Sequence, residues 1–371
     1  MSIVLTFRRA ALVAIAVLLA APAAAFAVTG APTGLTGTTP TKVKPVLTWT
    51  APASAGAGIA GYNVYRGATK ANATPVSGLA YTDNAATANT SASYTVKAVE
   101  TGTNLESAAS AAFVVVYDTA TPSTPAGVTA TTPTNAAPVL TWTASTDALS
   151  GVRRYQVLRG TTVLGTTSVL AYTDSTVSAA GTYSYSVKAE DWAGNLSAAG
   201  IKAVVYDNLA PTTPAGFNPT ASQRTKPTMS WTAATDTGGA GVDHYDVWRT
   251  GSPNVLAGSP TTTSFTDAGI AVEGTNSYFV TTVDKAGNSG PPTAVKSITY
   301  DVTAPTVPAG LLASASPTNA KPALAFSAAS DPGGSGVTSY RLYRDGTSVA
   351  TAAGTTVTDA ALTVDGTYSY R

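Results

Sequence analysis

The chain has 371 residues, a formal net charge of +1 and only 11% charged residues. It carries neither the basic stripe of a nucleic-acid-binding protein nor the acidic block of a disordered tail, and its 44% apolar residues suffice to bury cores. Without cysteine it forms no disulfide or thiolate metal site, and a filler of Thr, Ser, Ala, Gly and Pro favours strands and turns over helices.

The N-terminus reads "MSIVLTFRRAALVAIAVLLAAPAAAFA". Arg8 and Arg9 precede an apolar run from Ala10 to Ala21, and Ala25-Phe26-Ala27 is a small-x-small cleavage signal. The run is too short to span a bilayer comfortably. Residues 1–27 are therefore expected to be a secretory signal, and the mature chain to be secreted or at the cell surface with no membrane span.

Beyond it, one phrase recurs as "YDTATPSTPAG" at 117–127, "YDNLAPTTPAG" at 206–216 and "YDVTAPTVPAG" at 300–310. Spacings of 89 and 94 residues are too long for solenoid or propeller repeats and suit a string of small domains. The expected units are 28–118, 119–208, 209–302 and 303–371. Each has a first anchor at Trp49, Trp142, Trp231 or Phe326, followed 13 or 14 residues later by Tyr62, Tyr155, Tyr245 or Tyr340. Then come "AYTD", "AYTD", "SFTD" and "TVTD", and finally Tyr94, Tyr185, Tyr278 and Tyr370. Apolar and polar residues alternate around these anchors, as in "YNVYRG" and "YSVKAE", which is the period of half-buried antiparallel strands. Clusters such as "DTGGAG" and "DWAGN" are turns. Each unit is expected to be an all-β domain of about seven short strands. The fourth stops at Tyr370-Arg371 and is expected to lack its last strand, as in a fragment of a longer protein.

A Trp on the second strand, a Tyr-x-x-x-Arg third strand and Tyr-x-Val-x-Ala on the sixth ("YTVKA", "YSVKA") resemble fibronectin type III domains. The resemblance covers residues 28–371, departing at "YFVTT" in unit 3 and at Phe326 in unit 4. It implies a tandem array of seven-stranded β-sandwiches, with Trp142 buried between the sheets and Tyr185 forming the corner at the fifth-to-sixth strand turn.

Catalytic material is scarce. His244 is the only histidine, which excludes histidine triads and multi-histidine zinc sites. No nucleophile elbow, P-loop or dinucleotide fingerprint is present. Trp192, in a turn, and Trp248, on the outward side of the third strand, are candidates for stacking on a glycan, with packing against neighbouring strands as the alternative. The expected function is a non-catalytic extracellular spacer or adhesion segment that could contact protein or polysaccharide. The alternative is an accessory array of a larger secreted carbohydrate-active enzyme.

In seven antiparallel strands, the entrance, the second-to-third loop and the sixth-to-seventh loop share one end. Each junction aspartate should therefore meet those two loops of the next unit. Asp118 would join Asp147 and Asp191, and Asp207 would join Asp236 and Asp284, while Asp301 would join Asp331 alone. Unit 1 has Ser54 in place of the second-to-third loop acid, and keeps Glu100. Calcium, which takes six to eight oxygens, would reconcile such acids, and some bacterial immunoglobulin-like adhesin arrays that this chain resembles stiffen their junctions with it. The other reading is of turn-forming aspartates bound to the backbone or to Arg153.

Overall fold

The computed structural model describes residues 30–53, 58–220, 225–316 and 318–371. The signal expected over 1–27 lies outside these residues, as does Ser54.

The chain forms strands and no helix among the described residues. The first seven strands are β1 (Thr33–Gly37), β2 (Val46–Thr50), β3 (Ile59–Arg66), β4 (Thr69–Lys70), β5 (Ala80–Thr82), β6 (Thr90–Glu100) and β7 (Phe113–Tyr117). They make a three-stranded sheet, β1-β2-β5, and a four-stranded sheet, β4-β3-β6-β7. The next seven are β8 (Ala126–Thr129), β9 (Val139–Thr143), β10 (Val152–Arg159), β11 (Thr162–Thr167), β12 (Ala171–Thr173), β13 (Gly181–Asp191) and β14 (Gly200–Tyr206). Their sheets repeat the arrangement, as β8-β9-β12 and β11-β10-β13-β14. Unit 3 does so again with β15 (Ala215–Thr220), β16 (Thr228–Thr232), β17 (Val242–Arg249), β18 (Val255–Gly258), β19 (Ser264–Thr266), β20 (Gly274–Asp284) and β21 (Lys296–Tyr300). In unit 4, β22 (Ala309–Ala313), β23 (Ala323–Ser327) and β26 (Thr356–Thr358) form one sheet. Its other sheet is β24 (Tyr340–Arg344) with β25 (Thr347–Ala352), and Arg344 bridges to Tyr370.

Alternation sets which side chains meet between the sheets. Along β9 only Leu140 and Trp142 are buried, and they pack with Tyr155, Val157, Tyr185, Val187 and Val204. Trp142 lies edge-on to Tyr155 with ring centroids 5.3 Å apart, and Trp49–Tyr62, Trp231–Tyr245 and Phe326–Tyr340 repeat the contact. The three indole Nε1 atoms are buried without an acceptor, so the tryptophans serve as apolar bulk.

The glycine that opens each unit, after Thr33 in unit 1 and after alanine in the others, has a local task. Gly34, Gly127, Gly216 and Gly310 all have φ between 61° and 66°, and the register of the first strand against the second shifts there. Glycine adopts this left-handed backbone without a Cβ clash, so the chain bulges on its way into the sheet.

Strand alternation places Asn63 on the outer face of β3, opposite Tyr62 and Val64, yet it is only 6% exposed. Asn72 folds over the strand, accepting the Val64 amide and donating to the Tyr62 carbonyl, and Glu106 accepts from Asn63 Nδ2 at 2.6 Å. Polar neighbours thus bury the outer face locally.

Candidate functional site

Two places in the array concentrate charged groups: the interior of each unit and the junctions.

The interior group went unrecognised in the sequence. Asp83, Asp174, Asp267 and Asp359, the last letters of the "YTD"-like motifs, are at most 1% exposed. Each Oδ2 accepts from a tyrosine hydroxyl on or beside the sixth strand: Tyr94 at 2.9 Å, Tyr185 at 2.8, Tyr278 at 2.8 and Tyr370 at 3.0. The same oxygen takes the guanidinium that ends the third strand, from Arg66, Arg159, Arg249 or Arg344, at 2.5–2.9 Å. Oδ1 caps the following turn by accepting the amide two residues on. The backbone amide of each aspartate donates to the proline that opens the second strand. The corner tyrosine is therefore tied to a buried carboxylate. Burial and the hydrogen bond to aspartate raise the phenol pKa of Tyr94, Tyr185 and Tyr278, partly offset by the arginines. Burial disfavours the Asp174 carboxylate, but bonds from Thr176 and Tyr185 and the charge of Arg159 hold its pKa below the usual value.

At the junctions the expected residues meet. Carboxylate oxygens of Asp118, Asp147 and Asp191 lie within 4.8 Å of one another, and so do those of Asp207, Asp236 and Asp284. Asp118, Asp191, Asp207 and Asp284 are at most 2% exposed. Asp301 and Asp331 share Ser335, which donates its amide to the first at 3.0 Å and its hydroxyl to the second at 2.9 Å.

Two carboxylates about 5 Å apart repel by roughly 3 kcal/mol at an effective dielectric near 20. What offsets this is visible. Asp118 accepts the amides of Ala120 and Ser150. Asp147 accepts those of Leu149, Ser150 and Gly151, and Asp191 takes the amide and the side-chain Nδ2 of Asn195. The second cluster repeats the scheme with Leu209, Ala240, Gly238, Gly241, Ala286 and Asn288. Amide donors aimed at carboxylates stabilise the charged form. The same oxygens are the ligand set that a calcium ion would use.

The aromatic candidates stand apart from these clusters. Trp192 is 57% exposed, with the Arg153 guanidinium 5.3 Å from its ring centre. Trp248 is half-buried, stacked on Phe279 with centroids 6.2 Å apart. A cavity of 300 Å³ in unit 4 is lined by residues including Val307, Leu311, Phe326, Leu342 and Val357, a lining with no carboxylate.

No family model matches the chain. Over 282 residues it is 38% identical to Exoglucanase B of Cellulomonas fimi, covering 72% of this chain and 25% of that protein. It is 36% identical to Exoglucanase A of the same organism, over 69% of this chain and 30% of that protein. Chitinase A1 of Niallia circulans is 39% identical over 46% of this chain and 25% of its own length. The chain thus spans about a quarter of the curated relatives it matches. Among solved structures, the chicken CNTN1 FN1–FN3 domains align over 73% of this chain and 98% of theirs, at 16% identity and a TM-score of 0.34. The fibronectin(III)-like modules of Clostridium thermocellum CbhA align over 47% of this chain and 94% of theirs, at 16% and 0.32. The paired three- and four-stranded antiparallel sheets, with the second-strand tryptophan between them and the tyrosine of the sixth strand at its corner, recur along the chain. The protein is a tandem array of fibronectin type III-like β-sandwiches.

Proposed function

We propose that the array is a non-catalytic accessory segment of an exported polysaccharide-degrading enzyme, spacing its working parts and holding them near an insoluble substrate. The observation that carries this is the match of 72% of the chain to a quarter of a protein named as an exoglucanase. The interior chemistry agrees with it. Asp83, Asp174, Asp267 and Asp359 are each committed to an arginine and a tyrosine inside their own sandwich, and the buried acids of the first two junctions to amides and asparagines. No helix among the described residues is long and apolar enough to cross a membrane. The test is to isolate the native polypeptide from the culture medium of its source organism. A species much larger than 37.1 kDa that hydrolyses cellulose or chitin supports the reading. A non-hydrolytic species of about that mass, retained on cells, would establish the spacer or adhesion role instead.

Trp192 favours a second reading, recognition of a polysaccharide by one unit. An indole 57% exposed beside a guanidinium offers a stacking face and a hydrogen-bond donor. Retention of the array on insoluble glucan or chitin that disappears in Trp192→Ala supports it, and equal retention of the two proteins sinks it.

A further inference from the structure

The junction aspartate belongs to two units at once. Its backbone is fixed to the unit it ends: the Asp118 amide donates to Thr41, and the Asp207 amide to Thr134, each at 2.9 Å. Its side chain is fixed to the unit that follows. Oδ2 of Asp118, Asp207 and Asp301 accepts the amide of Ser150, Ala240 and Ser335, at 3.0, 2.8 and 3.0 Å, always in the loop between the second and third strands. In the first two junctions the next unit also returns a bond. Asn195 Nδ2 donates to the Asp118 carbonyl at 2.9 Å, and Asn288 Nδ2 to that of Asp207 at 2.8 Å. Each asparagine is itself held by both oxygens of the third acid, Asp191 or Asp284.

Further contacts close the seam. Lys42 Nζ of unit 1 donates to the Gly194 carbonyl of unit 2 at 2.7 Å, and Asn135 Nδ2 of unit 2 donates to Asn288 Oδ1 of unit 3 at 3.2 Å. The segment after each aspartate lies along the same loop, with Ser123, Thr212 and Thr306 donating amides to Thr146, Thr235 and Ser330. Units 3 and 4 place a glycine directly under the carboxylate. A Cβ on Gly238 would stand 1.7 Å from Asp207 Oδ1, and one on Gly333 would stand 1.7 Å from Asp301 Oδ1.

We infer that the aspartate is a plug and the two loops of the following unit its socket, so that units 2, 3 and 4 are each completed by the aspartate that follows the last strand of the unit before. Units joined this way do not open independently. Loss of the plug removes partners from loop amides that the native junction buries, and the cost falls on the unit downstream. Nearest-neighbour coupling of this kind makes stability along an array a sum of unit and interface contributions.

The experiment is hydrogen exchange, read by mass spectrometry peptide by peptide, on the whole chain. With Asp207→Ala, amides of residues 236–241 and 284–288 in unit 3 are expected to exchange about tenfold faster or more, in line with loss of one or two junction bonds. Amides of the distant Val139–Thr143 strand in unit 2 should keep their rates. Gly238→Ala should give the same pattern, because it displaces the carboxylate while leaving every hydrogen-bonding group in place. Asp243→Ala, an exposed acid in the same unit, is the control expected to change neither loop. Unchanged exchange in both loops for Asp207→Ala and Gly238→Ala overturns the inference. So does a uniform acceleration across unit 3 that Asp243→Ala reproduces.

Discussion

Tyr185 donates its phenol to Asp174 Oδ2 at 2.8 Å in the interior of unit 2, and Arg159 reaches the same oxygen at 2.6 Å. One carboxylate thereby joins the third strand, the end of the fifth and the sixth. Tyr185→Phe removes one charge-assisted bond and is expected to cost about 1.5–3 kcal/mol. Asp174→Ala leaves the phenol and the guanidinium without their shared acceptor and should cost more, about 3–5 kcal/mol. Thermal melts of the whole chain, with unit 2 followed by hydrogen exchange, check both. Equal melting of the two variants would show that the arginine contributes little.

The pH profile should have two flanks. Burial works against ionised Glu106, but bonds from Tyr65, Asn63 and Lys97 prevail and hold it at about 2. Asp174 is likewise lowered, and Asp301 is lowered chiefly by bonds from Ser335. Lowered carboxylates stabilise the fold above their unfolded values, near 4, and that contribution is lost as pH falls through the folded values. On the alkaline side, Tyr65 is raised to about 12, first by its bond to Glu106, and Tyr94, Tyr185 and Tyr278 are raised first by burial. Their contribution is complete below about pH 10 and is lost as pH rises through the folded values. Melting temperature against pH should therefore fall below about 4 and above about 10. Tyrosinate absorbance should show these phenols ionising later than the exposed ones.

The buried indoles make no hydrogen bond, which sets the cost of replacing them. Trp231→Phe keeps a ring against Tyr245 and relieves an unpaired N–H, so a loss under about 2 kcal/mol is expected, against about 3–5 for Trp231→Ala. Unit 4 already shows the exchange, with Phe326 4.7 Å from Tyr340. A Trp231→Phe variant as damaged as Trp231→Ala would mean that indole volume decides the packing.

Calcium titration separates two uses of the junction carboxylates. Amides and asparagines already satisfy those of the first two junctions, so the expected result is the same melting temperature in millimolar calcium and in EDTA. An ion held at a thousandfold excess over its Kd would add about 4 kcal/mol. A calcium-dependent rise that vanishes in Asp207→Asn would assign the clusters to the metal.

Strand alternation and the repeat made the sandwich legible, because period-2 burial is written directly in segments such as Val139–Thr143. The meeting of Asp118, Asp147 and Asp191 was legible too, since chain topology alone puts three loops at one end of a sandwich. The Arg159–Asp174–Tyr185 triad was not. Its members belong to three separate strands or turns, and a charged residue at a strand end reads as solvated until the fold covers it. The repeated "TD" after the fifth strand was the available signal. The burial of Asn63 was illegible for a related reason: it depends on Asn72 and Glu106, side chains that only unit 1 supplies.

The outward position near the end of the third strand is not filled alike along the array. It holds Tyr65 under the Lys97 ammonium, Leu158 opposite the exposed Val163, Trp248 stacked on Phe279, and Tyr343 under the Arg371 guanidinium. Interiors that are near copies thus carry three kinds of outer surface: a tyrosine under a cation, an aliphatic pair and a stacked pair of rings. An antibody raised against the Trp248–Phe279 stack should therefore pass over the other units.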